Sequence, residues 1–241
     1  LTYREDIYLM DKYFQMRNIK ISGTPDYSLF KGKVAVVFGA SSGIGKDIAA
    51  KLEEAGAGVY RYSRSQGGVD VGNAADVKRA FDEVSAAEPV TDYVICTAGI
   101  LNREPLHGME DSVIEAAVRT NYIGTVNVAK AAYPLLKKSH GQLVFFTSSS
   151  YTRGRSFYSI YSSTKAAIVN FVQAIAEEWQ QDGIRVNCID PERTRTPMRV
   201  KNFGIEPEGS LLESGVVAEE TLKCLLSDYT GQVVDVRRPA K

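Results

Sequence analysis

Tyr161 and Lys165 stand four residues apart in the stretch "YSSTK", at the start of a predicted long helix. Side chains at positions i and i+4 share one face of a helix, so this phenol and this ammonium can flank one site. A phenol alone keeps its proton up to about pH 10, and a nearby cation lowers that pKa. Tyr161 can then give a proton to a carbonyl oxygen while hydride arrives at the carbon. The Ser148 hydroxyl can hold the same oxygen.

A glycine-rich stretch, "FGASSGIG", follows the predicted strand "KVAVVFG" and opens the predicted helix "GIGKDIAAKLEEAG". Gly39 permits a tight turn, Gly43 lets the backbone approach a pyrophosphate, and Gly45 lets helix and strand pack closely. The helix N-terminus offers unpaired N–H donors to phosphates. An ordinary glycine-rich turn is the alternative, but the order of strand, loop and helix favours a dinucleotide site. Its candidate contacts are Gly39, Ser41, Ser42, Gly43, Ile44 and Gly45.

The second predicted strand ends in "YSRS", with Ser63 at the place where an NAD site usually has an acid. That acid bonds the ribose 2′-hydroxyl and would repel a 2′-phosphate, whereas the guanidinium of Arg64 can grip a phosphate with two hydrogen bonds. The sequence therefore favours NADP(H). A solvated arginine at a strand end is the alternative.

Short apolar runs alternate with helical segments from residue 33 onward. This alternation predicts crossover units and a parallel sheet covered on both faces. We therefore expect an α/β fold, a Rossmann-type doubly wound parallel sheet in a single domain at residues 31–241. Residues 1–30 differ, because "REDIYLMDKYFQM" has helical spacing and "GTPDYS" then breaks it. They predict a short N-terminal helical extension and a linker.

The overall composition excludes several classes of protein. The 241 residues include 29 basic and 29 acidic side chains, which argues against a dedicated nucleic-acid binder. No apolar run approaches the ~20 residues of a membrane span. Cys96, Cys188 and Cys224 lie among apolar neighbours and predict buried, reduced thiols in a cytoplasmic protein. No spacing of cysteine or histidine predicts a metal site.

The stretch "ERTRTPMRVK", residues 192–201, is unusually basic, with Arg193, Arg195, Arg199 and Lys201. These cations suit a small, anionic, hydroxylated carbonyl substrate, most simply a sugar phosphate, and Arg153 and Arg155 can add to their field. Alternatively, the arginines face solvent or bind the cofactor phosphate. We expect at most some of these four cations to reach the substrate.

Taken together, "FGASSGIG", "CTAG", Asn121, Ser148, "YSSTK" and "DPERTRT" resemble the short-chain dehydrogenase/reductase family across about residues 31–236. The resemblance implies that Tyr161 is the general acid/base and that Ser148 polarises the carbonyl. It implies that Lys165 lowers the Tyr161 pKa and binds the nicotinamide ribose, while Asn121 holds a water for a proton relay. The further cofactor contacts that it implies are Asp70 and Val71 at the adenine, Ala98 and Gly99 beside the adenosine ribose, and Pro191 and Thr196 over the nicotinamide.

The sequence departs from the family pattern in three places. Phe38 replaces the usual threonine before the first glycine, and Glu192 replaces the glycine usual after Pro191. Cys96-Thr97 replaces an asparagine pair, so a hydrogen bond that steadies the central sheet is expected to be missing. The family also implies an assembly, a homodimer or homotetramer, with the helices around 112–138 and 161–181 at its interface.

A closer resemblance involves "DPERTRTPMRVKNFG" and "LLSDYTGQVVDVRR", which look like the reductase half of bifunctional bacterial enzymes of CDP-ribitol synthesis. In those, a cytidylyltransferase domain precedes a reductase that converts D-ribulose 5-phosphate to D-ribitol 5-phosphate with NADPH, for capsule-type polymers. Residues 1–16 resemble the tail of such a cytidylyltransferase, which assigns residues 1–30 to that tail and a linker. The alternatives are reduction of another sugar phosphate, a sugar nucleotide or a 3-oxoacyl group, or a non-catalytic NADP(H)-binding scaffold.

Overall fold

A computed structural model describes residues 25–238, which form a six-stranded sheet between two layers of helices. Its strands are β1 (Val34–Phe38), β2 (Gly58–Tyr62), β3 (Tyr93–Cys96), β4 (Gln142–Phe146), β5 (Arg185–Pro191) and, after the two short strands β6 (Thr194–Arg195) and β7 (Leu212–Glu213) of a separate sheet, β8 (Val233–Val236). They lie in the order β2-β1-β3-β4-β5-β8, and every neighbouring pair is parallel. The predicted doubly wound parallel sheet is confirmed.

The helices cover both faces of this sheet, as the alternating pattern predicts. They are α1 (Gly43–Glu54), α2 (Ala74–Ala87), α3 (Asp111–Val118), α4 (Gly124–Ser139), α5 (Ser159–Glu178), α6 (Pro197–Phe203) and α7 (Ser214–Leu225). Helices α2, α4 and α5 pack on one face, and α1 and α7 on the other. Among residues 25–238, no helix combines the length and the apolar character needed to cross a membrane.

Strand β1 shows why the sheet needs a layer of helices on each face. Val34, Val36 and Phe38 point into the core under α2 and α4, whereas Ala35 and Val37 point into the core under α1 and α7. All five residues are buried, so the strand reads as a continuous apolar run. The three cysteines are free and buried in these cores, as predicted.

The first described residues belong to the packed unit. Residues Tyr27–Phe30 form a 3₁₀ turn, and Phe30 is fully buried with its ring 5.4 Å from that of Tyr93. The Tyr27 hydroxyl donates to Glu219 on α7. The packed unit therefore includes Tyr27–Phe30, which precede the predicted start at residue 31. The predicted helix around Ile7 and Phe14 lies outside the described residues, and the division into two domains stays a prediction.

The chain reverses its direction across the sheet between β1 and β3. From β1 it moves outward to β2 and then returns to β3 on the other side of β1. Such a switch point opens a crevice at the carboxyl ends of the strands, where ligands of this fold class bind. Gly39 follows β1 at this edge, and Thr97 follows β3.

Thr97 corrects one expectation about the central sheet. Its hydroxyl donates to the carbonyl of Phe38 at 3.1 Å and to that of Gly39 at 3.3 Å. A hydrogen bond between β3 and β1 is therefore present at the position where the sequence suggested a missing one.

Candidate active site

A cleft of about 890 Å³ opens at the carboxyl ends of the strands, at the switch point of the sheet. It is within the size range of small-molecule sites. Every residue that the sequence assigns to the cofactor lines this cleft. They are Gly39, Ser41, Ser42, Gly43, Ile44, Gly45, Arg64, Asp70, Val71, Ala98, Gly99, Tyr161, Lys165, Pro191 and Thr196.

The glycine-rich loop has the shape that a dinucleotide phosphate needs. Gly39 has φ +83° and Gly43 has φ +54°, a left-handed backbone that glycine adopts without strain. A Cβ on Gly45 would lie 2.4 Å from the Gly39 carbonyl oxygen, so only glycine fits the close approach of loop and helix. Helix α1 begins at Gly43, and the Ser42 side chain makes no capping hydrogen bond. Its first N–H groups can therefore bind an anion, and these residues fit a dinucleotide.

Arg64 lies in the turn after β2 and lines the far end of the same cleft. Within residues 25–238 it forms no ion pair, whereas Arg61, three residues earlier, is held by both oxygens of Glu53. Ser63 shapes the turn, because its hydroxyl accepts from the backbone N–H of Gln66. Arg64 thus lines the cleft, and its contact with a 2′-phosphate stays a prediction.

The predicted reacting groups come together at the start of α5. Ser148 follows β4, and α5 begins at Ser159, so Tyr161 and Lys165 occupy its first two turns. The Lys165 Nζ lies 5.6 Å from the centre of the Tyr161 ring and donates to the carbonyl of Phe146 at 2.7 Å. Ser148, Tyr161 and Lys165 all line the cleft.

The ionisation of these groups differs from the sequence-based expectation. Burial raises the pKa of Tyr161 to about 12, although a hydrogen bond with Ser148 opposes the shift. Burial also lowers the pKa of Lys165. Burial outweighs the opposing influences on the Tyr161 pKa, and the lowering of that pKa by Lys165 stays a prediction. Tyr161 is therefore a neutral phenol at pH 7, which is the form that can donate a proton.

Asn121 lies beside the cleft rather than in its lining. It sits in a five-residue π-helical segment, Arg119–Ile123, which joins α3 to α4. Its side chain accepts from the N–H of Ile100 at 2.8 Å and donates to the Ile100 carbonyl at 3.0 Å. It thus fixes the wall formed by Gly99 and Ile100. The proton relay through a water stays a prediction.

The structure separates the predicted basic residues into two groups. Arg193 and Arg199 line the cleft, as does Arg155 from the loop after Ser148. Arg153, Arg195 and Lys201 do not. Of the near neighbours Arg193 and Arg195, only Arg193 is among the residues that line the cleft.

The ion pairs show which of these arginines already have a carboxylate partner. Arg199 is held by both oxygens of Glu206, at 2.7 and 2.8 Å, and stacks 3.7 Å above the Phe203 ring. Arg195 pairs with Glu213 at 2.9 Å. In the part of the chain that the structure describes, Arg155 and Arg193 have no carboxylate partner. These two guanidinium groups are therefore available to an anion in the cleft.

Sequence reasoning missed several residues that shape the substrate end of the cleft. Tyr158 and Phe203 line it, with ring centres 6.4 Å apart. Phe203 ends the unpredicted helix α6, and β6 (Thr194–Arg195) and β7 (Leu212–Glu213) form an unpredicted small sheet beside it. The pair Thr196-Pro197 carried a usable signal, since a threonine cap followed by proline is a typical helix start.

The strand order, the switch-point cleft and the glycine-rich loop define a nucleotide-binding α/β fold of Rossmann type. Comparison with known proteins places the chain within that class. The family model described as short chain dehydrogenase matches residues 33–204. The chain belongs to the short chain dehydrogenase family, whose members are oxidoreductases that act on CH–OH and C=O groups.

Individual relatives support this membership. The chain is 46% identical over 240 residues to the bifunctional ribulose 5-phosphate reductase/CDP-ribitol pyrophosphorylase Bcs1 of Haemophilus influenzae. That match covers 98% of this chain and 50% of the relative, so the chain spans about half of that protein's length. A short chain dehydrogenase structure from Salmonella enterica serovar Typhi is 26% identical, with a TM-score of 0.78 and coverage of 88% of this chain and 99% of that one. Another from Shigella flexneri, complexed with NADP, is 25% identical, with a TM-score of 0.77 and coverage of 87% and 99%.

Proposed function

We propose that this chain reduces D-ribulose 5-phosphate to D-ribitol 5-phosphate with NADPH. The proposal depends on two guanidinium groups, those of Arg155 and Arg193, which have no carboxylate partner among residues 25–238 and line the cleft that also contains Tyr161. A phosphate binds such groups through charge-assisted hydrogen bonds. The 46% identity to a protein named a ribulose 5-phosphate reductase supports the same substrate.

Each of the reacting groups has a role in carbonyl reduction under this proposal. The Ser148 hydroxyl donates a hydrogen bond to the substrate carbonyl oxygen, and Tyr161 gives that oxygen its proton. NADPH, when bound, supplies the hydride. The Lys165 Nζ lies 5.6 Å from the centre of the Tyr161 ring, and Lys165 lines the cleft, so its ammonium can also hold the ribose next to the nicotinamide.

The direct test mixes the purified chain with NADPH and follows the loss of absorbance at the nicotinamide band. We expect oxidation of NADPH with D-ribulose 5-phosphate and at least roughly a hundredfold lower kcat/KM with unphosphorylated ribulose, because ribulose leaves both guanidinium groups unpaired. A 3-oxoacyl thioester tests the main rival substrate. Equal rates with ribulose and its phosphate, or faster turnover of the thioester, would contradict the proposal.

Arg64 leads to a separate prediction about the cofactor. Replacing Arg64 with glutamine is expected to raise KM for NADPH by about tenfold or more and to leave KM for NADH nearly unchanged, because only NADPH has the 2′-phosphate. Steady-state kinetics with both cofactors measures this. The Arg61→Gln variant is the matched control, since Arg61 lies outside the cleft and pairs with Glu53. Equal losses for both cofactors would show that Arg64 has no role in choosing between them.

The same proposal extends to the longer protein. We infer that the residues before Tyr27 are the tail and linker of a cytidylyltransferase-like domain fused to this one, as the half-length match to the bifunctional relative suggests. Tyr27–Phe30, which the sequence assigned to the same linker, pack against the reductase fold instead. The product would then feed CDP-ribitol and capsule synthesis. Assembly as a homodimer or homotetramer stays a prediction. A purely scaffolding role is disfavoured, because Ser148, Tyr161 and Lys165 are all present and brought together.

A further inference from the structure

Two arginines that follow β8 bind the residues on either side of Pro191. Arg237 donates to the Asp190 carboxylate at 2.5 Å and to the Asp190 carbonyl at 2.7 Å. Arg238 donates to the Glu192 carboxylate from Nη2 at 2.6 Å, from Nε at 3.1 Å and from its backbone N–H at 2.9 Å. Because Pro191 and Glu192 line the cleft, these contacts attach one wall of the cleft to the end of the last strand.

Arg238 also contacts the other end of segment 192–212, whose first residues line the cleft. Its Nη1 donates to the carbonyl of Gly209 at 3.0 Å. The backbone N–H of Leu212 donates to the Arg193 carbonyl at 2.8 Å and closes the same segment. One side chain thus joins the beginning of segment 192–212 to its end, which limits how far the intervening residues can move.

The partner of Glu192 matters because Glu192 is adjacent to Arg193. Hydrogen bonding by Arg238 is the main cause of the lowered Glu192 pKa, and the charge of Arg193 adds to it. Arg199 is the main cause of the lowered Glu206 pKa, to which Arg193 again contributes. Both carboxylates therefore lie close enough to Arg193 for its charge to lower their pKa values. Each is hydrogen-bonded to another arginine, so neither neutralises Arg193.

We propose that Arg238 is a positioning residue that holds the Glu192 carboxylate away from Arg193 and so keeps the Arg193 guanidinium free for the substrate phosphate. This inference rests on the proposed function, because it assigns Arg193 to that phosphate. It also gives a role to Glu192, which stands where the family usually has glycine. A carboxylate beside a phosphate site is tolerated here because a second guanidinium occupies it.

The kinetic test replaces Arg238 with glutamine, which frees Glu192 to pair with Arg193. We expect KM for D-ribulose 5-phosphate to rise by about tenfold, with a much smaller change in kcat, because the reacting groups lie elsewhere in the cleft. The double variant Glu192→Gln/Arg238→Gln should recover most of this loss, because no carboxylate then competes for Arg193. Arg61→Gln, which breaks an equally well-formed pair outside the cleft, should leave KM unchanged. A rise in KM that the double variant does not reverse would overturn the inference.

Hydrogen exchange of the free protein tests the same inference without any substrate. We expect peptides from 192–212 to exchange faster in Arg238→Gln than in wild type or in Arg61→Gln. Unchanged exchange in this segment would overturn the positioning role. If wild type fails to reduce D-ribulose 5-phosphate while the exchange of the variant rises, the proposed substrate is wrong and the positioning role is supported. The two failures are therefore distinguishable.

Discussion

Replacing Tyr161 with phenylalanine is expected to lower kcat for carbonyl reduction by about a thousandfold. The phenol lies in the cleft with Ser148, and its pKa of about 12 keeps it protonated at neutral pH. A phenyl ring fills the same space but has no proton to give. Steady-state oxidation of NADPH at saturating D-ribulose 5-phosphate measures the loss. NADPH binding, followed by fluorescence titration, should stay close to that of wild type.

Tyr158 provides the matched control for this substitution. Its ring centre lies 6.3 Å from that of Tyr161, and it lines the same cleft. We expect Tyr158→Phe to change kcat by less than about threefold, because the proton comes from Tyr161. If Tyr161→Phe keeps most of its activity, or if both variants lose the same amount, another group is the proton donor.

The direction of the pKa shift adds a pH dependence to this prediction. A raised pKa favours the neutral phenol, which is present below the pKa and is the donor in reduction. The proton-donating step should therefore not weaken between pH 6 and pH 9. Oxidation of the alcohol needs the phenolate and should accelerate by about tenfold per pH unit over the same range, if no other group limits the rate. Initial rates in both directions across this range measure the difference in slope.

The fold could be predicted because its signals are local. The glycine-rich loop lies directly between β1 and α1, and the apolar runs of the strands are continuous because both faces of the sheet are buried. The Tyr161–Lys165 spacing follows from helical geometry alone. These features need only neighbouring residues. Ser148 and Asn121 lie 13 and 40 positions before Tyr161, so their assignment depended on the resemblance to a family and not on a local pattern.

The substrate end of the cleft could be predicted only in part, because it depends on contacts between distant residues. The sequence shows four cations at 193–201 but cannot show that Glu213 pairs with Arg195, 18 positions away, or that Glu206 holds Arg199. The link from Arg238 to Glu192 spans 46 positions. Charge composition alone therefore overstated the number of free guanidinium groups, and the fold decides which of them remain.

These pairings lead to a prediction that separates the basic residues by their contacts. Replacing both Arg155 and Arg193 with glutamine is expected to raise KM for D-ribulose 5-phosphate by about a hundredfold. Each guanidinium would contribute one charge-assisted interaction worth roughly 1.5–3 kcal/mol, and part of the phosphate stays hydrated when both are lost. The single variants should each raise KM by about tenfold. Turnover of unphosphorylated ribulose should change little, because ribulose has no phosphate for these arginines to bind.

Arg195 and Arg153 are the decisive controls for this prediction, since the sequence placed them in the same group. Neither lines the cleft, and Arg195 already pairs with Glu213 at 2.9 Å. Arg195→Gln and Arg153→Gln should therefore leave KM for the phosphate ester within about twofold of wild type, as expected for surface substitutions. A rise in KM for Arg195→Gln as large as that for Arg193→Gln would mean that the whole basic stretch acts through its summed charge. In that case the paired and unpaired arginines would be functionally equivalent, and the cleft would not select the phosphate by contact.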